Sequence, residues 1–95
     1  MNVTVRENPG AHHYDAVTDT GTVAGFVEYV DHRGTRVLFH TEVDDQFEGQ
    51  GVGSTLAREA LDKAIGSGLT VRVTCPFLTS WIERHPEYAD KVTLG

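Results

Sequence analysis

The chain has 95 residues, 39% of them hydrophobic, which predicts one small domain over residues 1–95 with a single core. Its net charge of −6 argues against nucleic acid as a partner, and its single Cys excludes a disulfide framework or a zinc site built on paired cysteines. Met1 to Gly10 are charged and polar without an apolar h-region, and no window approaches the run of about 20 apolar residues that a membrane span requires, so we expect neither a secretory leader nor a span. We therefore expect a cytoplasmic protein, no membrane partner, no metal site, and a monomer or small homo-oligomer.

Alternation of apolar and polar residues predicts four strands in the first half of the chain. The predicted strands are Val3–Arg6, His13–Thr18, Val23–Val30 and Thr35–Val43. Turns rich in Asn, Asp, Pro and Gly join them, so the pattern indicates an antiparallel meander. Gly25, inside the third strand, indicates a β-bulge or a close approach of another backbone.

The same alternation assigns side chains to the two faces of the sheet. In the third strand it places Val23, Val27 and Tyr29 on one face. In the fourth strand it places Val37, Phe39, Thr41 and Val43 on one face and Leu38, His40 and Glu42 on the other.

The second half of the chain changes to helical spacing. Apolar residues recur from Val52 to Ile65, which predicts an amphipathic helix of about four turns that ends at a glycine. A strand over Leu69–Cys75 follows, and Pro76 suits the start of a second helix. The buried face predicted for that helix consists of Phe77, Leu78, Trp81 and Ile82. Because strand–helix–strand passages are right-handed crossovers, the last strand is expected to run parallel to the fourth. The predicted fold class is α/β (α+β): a four-strand antiparallel meander, then a glycine loop, a helix, a parallel strand and short C-terminal helices.

Three alternating glycines lie between the fourth strand and the first helix, in Phe47-Glu48-Gly49-Gln50-Gly51-Val52-Gly53-Ser54. Glycine allows a ligand to approach the backbone, and the first turn of a helix offers N–H groups and the positive end of its dipole. The segment therefore predicts a site for phosphate or pyrophosphate. The alternative is a connector that needs glycine only for tight turns. A P-loop would carry Lys followed by Ser or Thr, which this segment lacks.

Four sequence blocks occur in order along nearly the whole chain. They are His40-Thr41-Glu42-Val43, Gly49-Gln50-Gly51-Val52-Gly53-Ser54, Cys75-Pro76-Phe77 and Glu83-Arg84-His85-Pro86-Glu87-Tyr88. Together they resemble the GNAT-superfamily N-acetyltransferases, and more narrowly their small stand-alone Yjdj-type branch. The resemblance implies a GNAT-like fold whose glycine loop binds the pyrophosphate of acetyl-CoA. It also implies that the pantetheine arm lies in an opening between the fourth strand and the parallel strand.

The resemblance further implies which residues contact the cofactor. These are Thr41, Val43, Gly49, Gln50, Gly51, Val52, Gly53 and Ser54. Arg58, Arg84 and Lys91 are candidates for the 3′-phosphate, and Arg84 is the one assigned to it. Glu48 departs from the family pattern, which has Gln or Arg there; because backbone donors form the site, we expect weakened rather than abolished binding.

Three side chains are candidates for the chemistry. Cys75 is predicted to cap the second helix, where the dipole favours a thiolate that could accept an acetyl group; the alternative is a small buried hydrophobe. His40 could take a proton from an attacking amine or from Cys75, or could be a structural sheet histidine. Glu42 could orient His40 or hold a cationic acceptor, or could be a solvated edge residue. The resemblance adds support for a role of Cys75 and leaves the buried-hydrophobe alternative open. Tyr88 is a weaker candidate for a general acid, and Trp81 is expected in the core.

These observations support three hypotheses. The first is an enzyme that moves an acetyl group from acetyl-CoA to an amine of a small molecule or a protein lysine, either directly or through Cys75. The second is a module that binds CoA or acetyl-CoA with little or no catalysis. The third is an α/β interaction domain without a cofactor, against which the glycine loop argues.

Overall fold

A computed structural model describes residues 2–95, which form a six-stranded sheet with two α-helices. The strands are β1 (Val3–Asn8), β2 (His13–Thr18), β3 (Val23–His32), β4 (Thr35–Val43), β5 (Thr70–Val73) and β6 (Thr93–Leu94). The α-helices are α1 (Val52–Ile65) and α2 (Pro76–Glu83), and 3₁₀ helices span Asp45–Phe47 and Pro86–Lys91. The strands lie in chain order, with β1 to β4 antiparallel and β4, β5 and β6 mutually parallel. The predicted meander, glycine loop, helix and parallel strand are confirmed, and β6 is an addition.

A bulge in β4 reverses which side chains face the core. Leu38 pairs with Tyr29 and His40 pairs with Glu28, so Phe39 is an extra residue in β4. Leu38 is fully buried, and beyond the bulge Thr41 lies beside the fully buried Val27. The prediction that Thr41 and Val43 face away from Leu38, and that His40 and Glu42 share its face, is therefore wrong. One extra residue inverts the alternation of every residue that follows.

A second register shift occurs in β3. Ala16 pairs with Gly25 and Val17 pairs with Val23, which leaves Ala24 as the extra residue. Ala24 is fully buried while Val23 is 44% exposed, so the prediction that Val23 shares the face of Val27 is wrong. The expected irregularity at Gly25 is confirmed on both counts: it adjoins the bulge, and a Cβ built on it would lie 2.6 Å from the carbonyl oxygen of Glu42.

Both helices pack on one face of the sheet and contact each other. Helix α1 buries Val52, Leu56, Ala57, Ala60, Leu61 and Ala64. Each large aliphatic side chain removed from water in this way stabilises the fold by about 1.5–3 kcal/mol. Helix α2 buries Leu78, Trp81 and Ile82, but Phe77 is 39% exposed, so its predicted burial is wrong. The opposite face of the sheet carries exposed side chains, among them Val30, His40, Glu42 and Arg72. No helix within residues 2–95 is both long and apolar enough to span a membrane.

A buried arginine connects four strands at the end of the sheet remote from the glycine loop. Arg36 donates from Nε and Nη2 to the two carboxylate oxygens of Asp31, at 2.7 and 2.8 Å, and from Nη1 to the hydroxyl of Tyr14 at 2.8 Å. Its Nη1 also lies 3.2 Å from Glu7, which accepts a short hydrogen bond from the Tyr29 hydroxyl. The hydrogen bonds from Arg36 lower the pKa of the Asp31 carboxyl.

Candidate functional site

Strand β5 pairs along its whole length with the first four residues of β4, after which the two chains separate. Their pairing runs from Thr35 opposite Thr70 to Leu38 opposite Val73. The Leu38 carbonyl accepts from the amides of both Thr74 (3.1 Å) and Cys75 (3.3 Å), after which the chain turns into α2. Within the described residues, β4 from Phe39 to Val43 has no partner on this side. The result is an opening between the end of β4 and the start of α2.

The backbone of Val43 is oriented toward this opening. The next amide, that of Asp44, donates to the Ala24 carbonyl of β3 at 2.8 Å. Successive N–H groups of an extended strand point to opposite edges, so the Val43 N–H points away from β3 and into the opening.

The glycine loop presents a row of backbone amides at the start of α1. Gly49 (φ 78°) and Gly51 (φ 81°) adopt the left-handed conformation that favours glycine, and Gly51 caps the helix. The first helical bond runs from the Thr55 amide to the Gly51 carbonyl at 3.2 Å. Among residues 2–95, none of the amides from Gly49 to Ser54 donates a hydrogen bond of normal geometry to a protein acceptor. These donors coincide with the positive end of the α1 dipole, which is the arrangement that binds phosphate groups.

The polar side chains of the loop point away from its amides or into solvent. The Gln50 amide group donates back to the Gln46 carbonyl at 3.2 Å. Asp44 caps the 3₁₀ helix by accepting from the Gln46 amide at 2.9 Å. Glu48 is exposed, so its carboxylate can remain hydrated when an anion occupies the loop.

Cys75 lies on the floor of the opening. It is 3% exposed and caps α2 in an extended conformation, which confirms its predicted position. Its Sγ lies 3.3 Å from the hydroxyl of Thr41, so these two side chains connect β4 to α2 after the strands have separated.

His40 and Glu42 pair with each other on the opposite face of β4. His40 Nε2 lies 3.0 Å from a Glu42 carboxylate oxygen, and the side chains are 47% and 61% exposed. The His40 ring meets the edge of Phe26, with centroids 6.1 Å apart. The structure thus brings Thr41 to Cys75 and His40 to Glu42, while within residues 2–95 no hydrogen bond joins the two pairs.

An aromatic contact links α2 to the first turn of α1. Trp81 Nε1 donates to the Ser54 hydroxyl at 3.1 Å, and the Arg58 guanidinium lies 5.2 Å from the centre of the Trp81 ring. The His85 ring stacks on Trp81 at 3.8 Å. Of the three basic candidates, Arg58 is therefore the one that these contacts connect to the loop amides. Arg84 is exposed at the end of α2.

Lys91 and Tyr88 lie outside the opening. Lys91 Nζ is 5.5 Å from the centre of the Tyr88 ring, and the Tyr88 hydroxyl donates to Asp62 of α1 at 2.8 Å. Burial and this hydrogen bond raise the pKa of Tyr88. Its hydroxyl is therefore held on α1.

Two residues at the site escaped the sequence-based prediction. Phe77 borders the loop, since a Cβ on Gly53 would lie 3.1 Å from its Cζ and 3.8 Å from Val43 Cγ2. Phe26 contacts His40 across β3 and β4. The alternation of β3 places Phe26 opposite Val27, and this signal could have identified it.

The comparisons with known proteins assign the fold and the loop to a known family. A family model described as GCN5-related N-acetyl-transferase matches residues 13–91, so the chain belongs to this family. Proteins of the family generally use acetyl-CoA. A solution NMR structure of a Staphylococcus aureus protein described as GCN5-like is similar over 99% of this chain and 91% of that one, with a TM-score of 0.69 and 21% identity. The crystal structure of a GNAT-family acetyltransferase from S. aureus Mu50 gives a TM-score of 0.53 at 10% identity, over 86% of this chain and 53% of that one. These two likenesses support the fold.

Curated relatives resemble this chain at modest sequence identity. Protein NATD1 from Bos taurus is 38% identical over 61 residues, which are 62% of this chain and 51% of the relative. Protein NATD1 from Danio rerio is 30% identical over 67 residues, 68% of this chain and 60% of that protein. The chain therefore matches little more than half the length of these relatives.

Proposed function

We propose that the protein is an N-acetyltransferase that uses acetyl-CoA and transfers the acetyl group to an amine. The observation that carries this proposal is the row of amides from Gly49 to Ser54 at the start of α1, which make no hydrogen bond of normal geometry to an acceptor in residues 2–95. Several backbone donors on one turn fit an anion of the size of a pyrophosphate. A loop that only connected a strand to a helix would not require these donors.

The residues around the opening fit such a cofactor. The amides of Gly49 to Ser54 would hold the pyrophosphate, and Thr41 and Val43 would line the pantetheine arm. Arg84 and Arg58 are the candidates for the 3′-phosphate, and Arg58 has the support of its contact with Trp81. Gly49 and Gly51 have no side chain that could block a ligand, and their positive φ is a conformation that other residues adopt only with strain.

The exposed pair of His40 and Glu42 supports direct transfer of the acetyl group from acetyl-CoA to the amine. When bound, acetyl-CoA would supply an electrophilic thioester carbonyl. The amine nitrogen would form a bond to that carbon, the carbon–sulfur bond would break, and CoA would leave as a thiolate that takes up the proton removed from the amine. A neutral His40 that donates from Nε2 to Glu42 keeps Nδ1 available to accept the proton of the amine. The Val43 N–H, directed into the opening, is the candidate donor to the carbonyl oxygen as negative charge develops there.

Transfer through Cys75 is the competing route. Its thiol lies in the opening at the end of a helix dipole, but it is 3% exposed and in contact with Thr41. Cys75→Ala distinguishes the routes: turnover within about twofold of wild type supports direct transfer, and lost turnover with retained acetyl-CoA binding supports the covalent route. Cys75→Ser is the matched control, because it keeps a side chain of similar size and a polar atom beside Thr41 but removes the thiol.

A CoA-binding module without catalysis is the second candidate function. The observation in its favour is that His40 and Glu42 lie on the face of β4 opposite Thr41 and Cys75. Calorimetric titration with acetyl-CoA and release of free CoA in the presence of amines separate the two functions. Binding with release supports the enzyme, and binding without release across many amines supports the module. Absence of binding and of any thermal shift at millimolar acetyl-CoA would refute both, because a ligand that binds the native state must stabilise it.

A further inference from the structure

Helix α2 presents two aromatic side chains to the first turn of α1. Phe77 and Trp81 are four residues apart and therefore lie on the same side of α2. Phe77 borders Gly53, and Trp81 Nε1 donates to the hydroxyl of Ser54 at 3.1 Å. Trp81 is 1% exposed, so its indole N–H is buried and needs the partner that Ser54 provides. The start of α1 is therefore in contact with α2 at two successive residues.

The Ser54 hydroxyl lies beside the free amides of the glycine loop. Ser54 is the third residue of α1, and its own amide is one of those that find no acceptor in residues 2–95. A helical side chain leans toward the N-terminus of its helix, so Ser54 Oγ lies over the turn that presents these amides. The residue is exposed, so an anion bound at the loop can reach its hydroxyl.

The hydrogen bond from Trp81 determines which hydrogen bond the Ser54 hydroxyl can still make. An indole N–H only donates, so Oγ directs a lone pair toward Trp81 and its proton points elsewhere. Within residues 2–95 the Ser54 hydroxyl makes no other side-chain hydrogen bond. Because hydrogen bonds in a chain polarise one another, a hydroxyl that already accepts one is a stronger donor. The proton of Ser54 is therefore available to an anion that the amides hold.

Contacts with three other side chains fix the direction of the Trp81 ring. The His85 ring stacks on it with centroids 3.8 Å apart, and His85 Nδ1 lies 2.8 Å from the Trp81 carbonyl oxygen. The Arg58 guanidinium lies 5.2 Å from the centre of the Trp81 ring, and the Tyr88 ring meets it edge-on at 5.1 Å. Because the ring is already held before a ligand arrives, little conformational entropy is lost when an anion binds to Ser54.

We propose that Trp81 is a positioning residue for the pyrophosphate of the cofactor and that it acts through the Ser54 hydroxyl. This inference rests on the proposed use of acetyl-CoA and adds the side chains that orient its anion. Trp81 itself does not contact the anion; it holds Oγ so that the hydroxyl proton extends the row of backbone donors. His85 and Tyr88, which lie outside the opening, contribute to cofactor affinity through the ring that they support.

The indole N–H of Trp81 is a direct probe of this role. The chain contains one tryptophan and therefore gives one indole signal in a proton–nitrogen correlation NMR spectrum. The ligand used is inorganic pyrophosphate, which has no aromatic ring and cannot shift the signal through a ring current. We expect it to shift the indole signal together with the amides of residues 49–54. In Ser54→Ala the amides should still shift and the indole signal should not. An indole signal that is unmoved in the wild-type protein while the amides shift would overturn the inference.

A double-mutant cycle on acetyl-CoA affinity separates positioning from a purely structural role. Ser54→Ala should weaken binding about tenfold or more in calorimetry, because it removes a hydrogen bond to a charged group. Trp81→Phe should weaken binding about fivefold in the wild-type background and by less than about twofold in the Ser54→Ala background. Equal losses in both backgrounds would mean that Trp81 acts only by shaping α2. Ile82→Val, at an equally buried position of α2, is the control for lost packing and should leave affinity unchanged.

The outcomes distinguish this inference from the proposed function. If the protein transfers acetyl groups but Ser54→Ala binds acetyl-CoA as tightly as wild type, the inference is wrong and the enzyme remains. If pyrophosphate shifts the indole signal of a chain that releases no CoA with any amine, the positioning role is supported and the enzyme is refuted. If neither pyrophosphate nor acetyl-CoA binds at millimolar concentration, both are wrong. The NMR titration uses the wild-type chain, so it decides the inference even where Trp81→Phe fails to fold.

Discussion

Gly25 is the position where the smallest substitution should have a large effect. A Cβ there would lie 2.6 Å from the Glu42 carbonyl oxygen and 3.2 Å from Val43 Cα, both backbone atoms that cannot rotate away. Gly25→Ala must therefore displace the end of β4. Overpacking of this kind costs about 1–3 kcal/mol, against a gain of about 0.4–1 kcal/mol from the reduced entropy of the unfolded chain. We expect a net loss of about 1–2 kcal/mol.

Urea denaturation measures this loss, and Gly10→Ala is the matched control. Gly10 has an ordinary backbone conformation, and a Cβ added there would meet only the flexible Asn8 side chain, at 3.8 Å. The control should be as stable as wild type or slightly more stable. Because Gly25→Ala moves Val43, it should also weaken acetyl-CoA binding in calorimetry. If both variants have equal stability and equal affinity, the inferred contact between β3 and β4 is wrong.

Three further predictions concern the loop, the buried arginine and the contact between α1 and α2. Gly51→Ala introduces about 1–2 kcal/mol of left-handed strain; it should weaken acetyl-CoA binding about tenfold or more by calorimetry. Gly21→Ala, at φ 86° in an open turn, bears similar strain and should leave affinity unchanged. Arg36 lowers the pKa of Asp31 in the folded protein, so the pair should stabilise the fold at pH values above the ordinary Asp pKa of 3.8. This stabilisation should be lost as the pH falls below 3.8 and Asp31 is protonated. When stability is measured against acid pH, Asp31→Asn should lack this part of the pH dependence. Trp81→Phe removes an indole donor and buried volume and should cost about 1–3 kcal/mol in urea denaturation, and an unchanged midpoint would contradict that role.

The sequence predicted the parts of the molecule that depend on local chemistry. Helix α1 follows from apolar spacing, and the glycine loop follows from residues whose backbone freedom is intrinsic. The position of Cys75 as helix cap follows from the proline after it.

The parts that depend on pairing between strands were not predictable in the same way. The bulges at Phe39 and Ala24 arise from register with a neighbouring strand, which alternation alone does not contain. Because of the bulge in β4, the sequence placed Thr41 on the wrong face and did not anticipate its contact with Cys75. The exposure of Phe77 likewise depends on the position of α2 against the loop, a tertiary relation.

The extra residue in β4 makes the spacing of this strand as important as its composition. If Phe39 were accommodated in simple alternation without the bulge, His40 would turn inward and Thr41 outward, and both pairs at the site would exchange sides. Insertions or deletions of one residue between His40 and Val43 have the same effect on the residues that follow, so they should be selected against more strongly than substitutions at the exposed Phe39. Among members of this family, the number of residues in this part of β4 should therefore be conserved even at positions where the residue type varies.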